Sequence, residues 1–271
     1  MLDDDGLLLD EVGSWTKEKH ERLRKYVDIS RAVRRKFLRG SGGATYIDLY
    51  CGSGRAFIRD TNEKIDGSPL VAFKCARDGG APFSQIHIAD LEEEKVAAAA
   101  KRIADAGGTA TTYVGKAEDT APQIVARLNP SGLHFAFLDP YNLDALPFAI
   151  IEALGRLRRI DMLIHVSAQD LQRNLNSYTK PEDHRLERFA PGWGQRVGLD
   201  QSQQRIRAAL LSYWTGKFEM LGLSAARHAE LVSGQERNQR LYWLVLVSRE
   251  KLARDFWEKI RNVSGQREFR L

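Results

Sequence analysis

The strongest chemical signal in the sequence is an acidic residue followed by a glycine-rich turn. Asp48 ends a short β-branched run, and two glycines spaced G-x-G follow it. Glycine lets the backbone approach a ligand closely, because a bulky side chain would hold it away. The pattern predicts a cofactor-binding loop, with a plain tight turn as the structural alternative. The residues of this loop are Asp48, Tyr50, Cys51, Gly52, Ser53 and Gly54.

The class of cofactor follows from the same segment. A nicotinamide or flavin fingerprint needs a third small residue where the helix packs closely on the strand, and Phe57 stands at that position. Asp48 suits a different ligand, because an acid there can orient the loop and accept hydrogen bonds from the ammonium group of a methionine. The residues therefore favour S-adenosylmethionine and a methyltransferase. We expect the loop to lie between the first strand and the first long helix.

Acidic residues also follow the second and third predicted strands. Asp90, with Leu91 after it, ends the second strand, where an acid accepts hydrogen bonds from two ribose hydroxyls in nucleoside-binding sheets. Glu118 and Asp119 follow the third strand, where an acid meets the adenine amino group. Capping of the next helix is the alternative at both places. We therefore assign Asp90, Leu91, Glu118 and Asp119 to the cofactor site.

The sequence Asp139-Pro140-Tyr141 is the second strong signal and ends the fourth predicted strand. An exocyclic amine is a poor nucleophile because its lone pair is delocalised. Hydrogen bonds from the amine to the Asp139 carboxylate and the Pro140 carbonyl would localise that pair. Tyr141 would stack on a planar base. A strand-ending turn is the alternative, because Asp, Pro and the following Asn142 all favour turns.

Strands and helices alternate along most of the chain, which predicts a parallel, doubly wound sheet. The last two strands have no helix between them and predict an antiparallel pair. The expected fold is a Rossmann-like class I methyltransferase with a seven-stranded, mostly parallel sheet, a final antiparallel strand and helices on both faces. The predicted strands are 44–49, 85–89, 111–114, 133–138, 160–166, 227–232 and 241–247, and the predicted helices are 15–38, 68–77, 91–106, 118–128, 145–157, 204–221 and 250–262.

We expect a single domain over residues 1–271, with two segments that stand out. Residues 15–39 form a basic amphipathic helix, which contains ten Lys or Arg residues and only three acids. That helix would follow a phosphate backbone or be simply solvated. Residues 167–202 are polar and too long for an ordinary loop, which predicts a lid or substrate-binding insertion. Their arginines and aromatic residues suit nucleic acid or an acidic protein equally.

Composition narrows the class of protein further. The chain has 271 residues, a formal net charge of +5 and only two cysteines, so neither a disulfide framework nor a four-cysteine zinc site is expected. The histidines have no spacing typical of a metal site, and we predict none. No stretch approaches the roughly 20 apolar residues of a membrane span. The acidic start does not have the pattern of a secretory signal, so we expect a cytoplasmic protein.

The chain resembles the three-Cys-motif partner proteins, a family associated with a second, cysteine-motif protein. The resemblance implies a methyltransferase-like fold. Six further residues are weaker candidates for contact with a substrate or partner: Lys17, His20, Arg55, Asn142, Arg173 and Asn174. The family loop more often reads Ala-Gly-Pro-Gly, and the Asp-Pro-Tyr element only partly matches amino-methylating enzymes of nucleic acids. The matching segments are Trp15-x-Lys17 with Lys19-His20, Leu23-Arg-Lys-Tyr26, Tyr46 to Arg55, Asp66 to Leu70, Phe137 to Tyr141 and Asp170 to Asn174.

Three hypotheses result. The first is methylation of an exocyclic amine of a nucleic acid base, with Asp139 as the amine acceptor. The second is a binding subunit with the methyltransferase fold that docks the three-cysteine-motif protein and has little or no activity alone. The third is methylation of a small molecule, which a closed lid from residues 167–202 would support.

Overall fold

The computed structural model describes residues 1–226, 228–233, 240–260 and 269–270. The strands are β1 (Asp10–Val12), β2 (Ala44–Asp48), β3 (Arg55–Ile58), β4 (Lys64–Asp66), β5 (Gln85–Asp90), β6 (Thr111–Val114), β7 (Leu133–Leu138), β8 (Ile160–Ser167), β9 (Ser224–Ala225), β10 (His228–Ser233), β11 (Arg240–Ser248) and β12 (Phe269–Arg270). The α-helices are α1 (Thr16–Ile29), α2 (Arg31–Leu38), α3 (Ser68–Asp78), α4 (Glu93–Asp105), α5 (Ala117–Val125), α6 (Phe148–Gly155), α7 (Ala168–Tyr178), α8 (Arg185–Phe189), α9 (Gln203–Gly216) and α10 (Lys251–Ile260).

The main sheet has the parallel strands and the antiparallel end that the sequence predicts. Its order is β12-β10-β11-β8-β7-β2-β5-β6, and β9 pairs with β11. Strands β8, β7, β2, β5 and β6 are parallel, whereas β11 runs antiparallel to β8 and to β10. The predicted seven-stranded α/β fold is therefore confirmed, with β9 and β12 added to it. Arg227 and residues 261–262, which we assigned to a strand and a helix, lie outside the described residues.

Helices cover both faces of this sheet, because alternate strand residues point to opposite sides. Phe135 and Phe137 of β7 join the core beneath α1, α3, α4 and α10. Ala136 and Leu138 join the core beneath α5, α6, α7 and α9. None of the helices in the described ranges combines the length and the apolar composition needed to cross a membrane.

The glycine loop lies between β2 and α3, as predicted, but it does not lead directly into that helix. A hairpin of β3 and β4 follows it, and β1 pairs with β3 to make a small three-stranded sheet. Sequence reasoning missed this hairpin because its strands are only four and three residues long. The third glycine position of a dinucleotide fingerprint, Phe57, therefore lies in β3 and not in a helix.

The hairpin closes so that α3 still begins beside the loop. The Gly67 N–H donates to the Gly54 carbonyl at 2.8 Å, and the next residues, Arg55 and Asp66, are the first partners in the register of β3 and β4. A Cβ atom at Gly67 would lie 2.8 Å from the Gly54 carbonyl carbon, so the two backbones approach more closely than any side chain permits. The Gly67-Ser68-Pro69 segment is therefore the point at which the inserted hairpin returns to the site, and Pro69 stands in the first turn of α3.

The predicted basic helix over residues 15–38 is two helices, α1 and α2, that meet at Ser30. Ser30 Oγ donates to the Tyr26 carbonyl at 2.8 Å, a side-chain bond that competes with the helix backbone.

Near the start of the chain, the carboxylates of Asp3, Asp4 and Asp5 lie within 4.8 Å of one another. Their charge is met by basic side chains, namely Arg55, Lys64 and Arg102.

Residues 167–202 are largely helical and packed, not an extended polar loop. They contain α7, α8 and a 3-10 turn at Trp193–Gln195. Leu171, Leu186 and Phe189 are buried in the core. This fits the helical connection that follows a parallel strand. The role of the segment as a lid or substrate-binding element stays a prediction.

Several helices are shorter than predicted, and α9 for example ends at Gly216. Helix α5 ends at Val125, and α6 begins only at Phe148. The residues before α6 form a turn instead, because Asn142 Oδ1 accepts from the Ala145 N–H and Asp170 Oδ2 accepts from the Leu143 N–H. That turn lies at the edge of the cavity that contains the candidate site.

We expect Gly67→Ala to lower the free energy of unfolding by about 1–3 kcal/mol, because the new methyl group must displace the Gly54 backbone. Urea unfolding followed by tryptophan fluorescence measures the change. Gly216→Ala is the matched control, since Gly216 has ordinary helical angles and an added methyl group there would have no neighbour within 4 Å. Equal effects of the two substitutions would contradict this account of the hairpin closure.

Candidate active site

A cavity of about 470 Å³ lies at the carboxyl edge of the parallel strands. This is where ligands bind in open α/β sheets. The N-terminal segment closes one side of it, and the turns after β2, β5, β6 and β7 form the other sides. The lining includes Asp10, Lys19, His20, Tyr50, Cys51, Gly52, Gly54, Arg55, Asp90, Leu91, Lys95, Gly115, Glu118, Asp139, Tyr141, Asp144 and Arg188.

The glycine loop is held in place by two carboxylates. Gly52 and Gly54 have φ angles of 55° and 80°, which favour glycine. The Gly52 N–H donates to Asp90 Oδ2 at 3.0 Å, and the Ser53 N–H donates to Asp10 Oδ2 at 2.6 Å. Asp10 thus connects β1 to the loop, a contact across more than forty residues that the sequence did not indicate.

Asp48 lies behind the loop and outside the cavity wall. It is fully buried, and its carboxylate accepts hydrogen bonds from Tyr46 Oη at 2.9 Å and from the Tyr50 N–H at 3.2 Å. Burial raises the pKa of Asp48 to about 7, against the opposing effect of the hydrogen bonds from Ser68 and Tyr46. The carboxylate therefore orients the loop, as predicted. Asp48 is not among the residues that line the cavity, which does not favour the predicted direct contact with a ligand ammonium group.

The predicted nucleoside end of the site contains three of its four expected residues. Asp90 and Glu118 line the cavity together with Leu91, whose side chain is 58% exposed. Asp90 Oδ1 also accepts from the Glu92 N–H at 3.2 Å, so it supports the turn before α4 as well. Asp119 does not line the cavity, and the predicted contact with an adenine amino group falls to Glu118.

Asp139 lies in a buried cluster of charged and polar groups. Lys19 Nζ is 2.5 Å from Asp139 Oδ2, and His165 Nδ1 is 3.4 Å from Asp139 Oδ1. Burial favours the neutral acid, yet Lys19 and His165 outweigh it, so the pKa of Asp139 lies below its usual value. Burial also lowers the pKa of His165 to about 4. At neutral pH Asp139 is therefore a carboxylate paired with Lys19, next to an uncharged imidazole.

His165 also determines what Pro140 can do. Its Nδ1 lies 3.1 Å from the Pro140 carbonyl oxygen, closer than to Asp139, so the neutral ring donates there. The Pro140 carbonyl, one of the two acceptors that we predicted for a substrate amine, thus already accepts a hydrogen bond from His165. Tyr141, in contrast, lines the cavity with 77% of its surface exposed, so its ring is accessible for stacking with a planar group.

Arg188 of α8 lines the cavity and links two acidic residues of its wall. Its guanidinium donates to Glu118 at 2.8 Å and to Asp144 at 2.6 Å. The segment 167–202 therefore contributes a residue to the cavity wall.

The weaker predicted residues are dispersed. His20 and Arg55 line the cavity, and burial lowers the pKa of His20 to about 4. Lys17 pairs with Glu63 on the surface. Asn142 supports the turn before α6, and Asn174 Nδ2 donates to Asp170 Oδ1 at 2.8 Å. Arg173 is exposed on α7, and Pro140, Ser53 and Asp119 likewise do not belong to the cavity lining.

Sequence reasoning missed Lys19, His165 and Asp10 because each acts across a long sequence separation. One signal was present for Lys19. It stands four residues before Leu23 and seven before Tyr26, so it belongs to the apolar stripe that faces the core. A lysine in such a stripe needs a buried carboxylate, since an unpaired buried charge is costly.

Solved structures resemble this arrangement of strands. The O-methyltransferase from Bacillus cereus in complex with SAH has a TM-score of 0.51 and 14% identity, over 90% of this chain and 85% of that chain. A DszA carbon methyltransferase has a TM-score of 0.52 and 12% identity, over 87% of this chain and 54% of that chain. The fold is that of the methyltransferases. No protein-family model and no curated protein matches the sequence.

We expect Lys19→Met to lower the free energy of unfolding by up to about 3 kcal/mol, because it leaves the mostly buried Asp139 carboxylate without its lysine partner. The double variant Lys19→Met/Asp139→Asn should regain much of that loss, since it removes the charge on both sides. Urea unfolding of the two single variants, the double variant and the parent protein measures the coupling. Losses that simply add would contradict a strong pair.

Proposed function

We propose that the protein is an S-adenosylmethionine-dependent methyltransferase that methylates an exocyclic amine of a nucleic acid base. One observation carries the proposal. The cavity at the carboxyl edge contains the glycine loop, Asp90 and the Asp139-x-Tyr141 pair, so a nucleoside site and a candidate acceptor site are continuous. The SAH complex of the Bacillus cereus enzyme, which shares the fold, supports the choice of cofactor.

The residues of the cavity fit such a cofactor. Asp90 would hold the ribose, and Leu91 and Glu118 would contact the base. Asp10 lies beside the glycine loop and takes the place of Asp48 as the carboxylate for the ammonium group. Glycine at positions 52 and 54 keeps the wall clear of side chains. When bound, S-adenosylmethionine would supply an electrophilic methyl group on its sulfonium.

The acceptor chemistry rests on Asp139. Its pairing with Lys19 keeps it ionised, and a carboxylate accepts a hydrogen bond from an amine better than a neutral acid does. Such a bond draws the amine proton away and leaves the lone pair localised on nitrogen. The exposed ring of Tyr141 would stack on the base that bears the amine.

We expect the protein to bind S-adenosylmethionine and S-adenosylhomocysteine in calorimetric titrations, and Leu91→Arg to abolish that binding by filling the cavity. Leu199→Arg is the matched control, because Leu199 is a similarly exposed leucine that does not line the cavity. A folded protein that binds neither compound would refute the cofactor assignment.

We expect Asp139→Asn to reduce methyl transfer by at least about 100-fold. Transfer of labelled methyl groups to unmodified RNA and DNA measures the rate, and calorimetry should give cofactor affinity within about twofold of the parent protein. Tyr141→Phe keeps a stacking ring and should keep most activity. Turnover by Asp139→Asn near the parent rate would remove Asp139 from the reaction.

A second proposal is the binding subunit that the three-Cys-motif resemblance implies. The observation that favours it is that both carboxylate oxygens of Asp139 already have neighbours, Lys19 and His165. In that case the parent protein would bind the cofactor but transfer no methyl group to RNA or DNA. Activity that appears only after a three-cysteine-motif protein is added would favour this second role.

A further inference from the structure

A second basic region lies at the amino edge of the sheet, away from the cavity. A groove there of about 580 Å³ runs between the end of α2, the turn before β7 and the turn before β8. We call it the arginine groove. Its walls and its charge come mainly from Phe37, Gly42, Ser131, Arg156, Arg158 and Arg159. Strand β8 has eight residues, so the two edges of the sheet are about 26 Å apart.

The arginines of this groove differ from those of α1 in their partners. On α1, Arg24 forms an ion pair with Glu21, and Asp28 of α1 pairs with Arg31 at the start of α2. In the described ranges, by contrast, Arg156, Arg158 and Arg159 form no ion pair with a carboxylate. The same holds for the basic residues that lie next to or near lining residues in the sequence, Lys36, Arg39 and Arg127.

The groove is built from fixed parts. Arg159 Nη1 donates to the Ser131 carbonyl at 3.3 Å, and its guanidinium lies 5.4 Å from the centre of the Phe37 ring. A Cβ atom at Gly42 would lie 2.5 Å from the Ser131 carbonyl oxygen, so the two turns touch through their backbones. These contacts hold the α2 side and the β8 side of the groove at a fixed spacing.

Acidic residues near the groove do not cancel its charge. Glu152 of α6 stands one helical turn before Arg156, which follows the end of α6, and among the described residues the two form no ion pair. Asp161 lies with Arg159 in the adjoining apolar cavity, where its oxygens accept from Tyr26 Oη at 2.9 Å and Ser248 Oγ at 2.6 Å. Glu250 also lines that cavity. Of the described residues that line the groove itself, none is acidic.

We propose that the arginine groove binds the phosphate backbone of a nucleic acid, independently of sequence. Arginine presents a planar fork of donors that matches phosphate oxygens, and it gains further when counterions leave the nucleic acid. No aromatic ring is exposed in the described lining of the groove, since Phe37 is half-buried beneath Arg159, so bases would not be stacked or read there. An acidic protein is the less favoured partner, because a protein interface of this kind usually has exposed apolar or aromatic anchors.

The test compares two variants that lose the same charge. The groove variant is Arg39→Gln/Arg156→Gln/Arg158→Gln, whose three side chains are exposed and have no partner among the described residues. The control variant is Arg24→Gln/Arg59→Gln/Lys101→Gln, whose exposed side chains form surface ion pairs elsewhere. Fluorescence anisotropy with a labelled 20-nucleotide single-stranded RNA, without S-adenosylmethionine, measures the affinity at several salt concentrations.

We expect the groove variant to bind about tenfold or more weakly at 0.1 M salt and the control variant to stay within about threefold. The dependence of log affinity on log salt should become less steep by about 2, for three lost contacts on a single strand. Equal loss in both variants, no binding by the parent protein, or tighter binding of poly-glutamate than of RNA would each overturn the proposal. Because the assay contains no cofactor, its outcome is separate from that of the methyl-transfer experiments.

Discussion

Parallel pairing places three carboxylates at one edge of the sheet, and much of the site follows from relieving that charge. The register brings Asp48 opposite Ile88 and Phe137, so Asp90 and Asp139 lie just beyond the same edge. Each acid is accommodated differently. Asp48 is buried with a raised pKa, Asp90 accepts two backbone N–H groups, and Asp139 is paired with Lys19. A bare cluster of this kind would destabilise the fold through like-charge repulsion and desolvation.

Helix α1 provides the countercharge because it crosses the sheet from one edge to the other. Lys19 near its start meets Asp139, and Tyr26 two turns later donates to Asp161 at the beginning of β8. The helix is therefore part of the core rather than a solvated basic rod. Its direction also leaves α2 at the amino edge, beside the basic side chains of the arginine groove. Positive charge thus has two roles. At the carboxyl edge Lys19 neutralises Asp139, and at the amino edge the arginines of the groove form an exposed basic surface.

The site also accommodates an insertion that an open α/β sheet does not need. The β3–β4 hairpin adds residues between the glycine loop and α3, and β1 covers it as a third strand. The hydrogen bond between Gly67 and Gly54 closes the base of the hairpin, so α3 begins beside the end of the glycine loop despite the insertion. Asp10 can reach Ser53 only because β1 is anchored in this way. The N-terminal segment and the hairpin therefore form one wall of the cavity together.

The sequence by itself determined the order of the main strands and helices, and with it the fold, because periodicity and turn residues are local properties. It also predicted that the glycine loop, Asp90 and Asp139 lie at one edge of the sheet, since parallel strands must end at a common edge. Only the tertiary structure decided which charges meet. Lys19 and His165 reach Asp139, Asp10 reaches the loop, and Asp48 turns away from the cavity. These contacts join residues that are tens to more than a hundred positions apart, and burial, which decides the charge of each group, exists only once the core has formed.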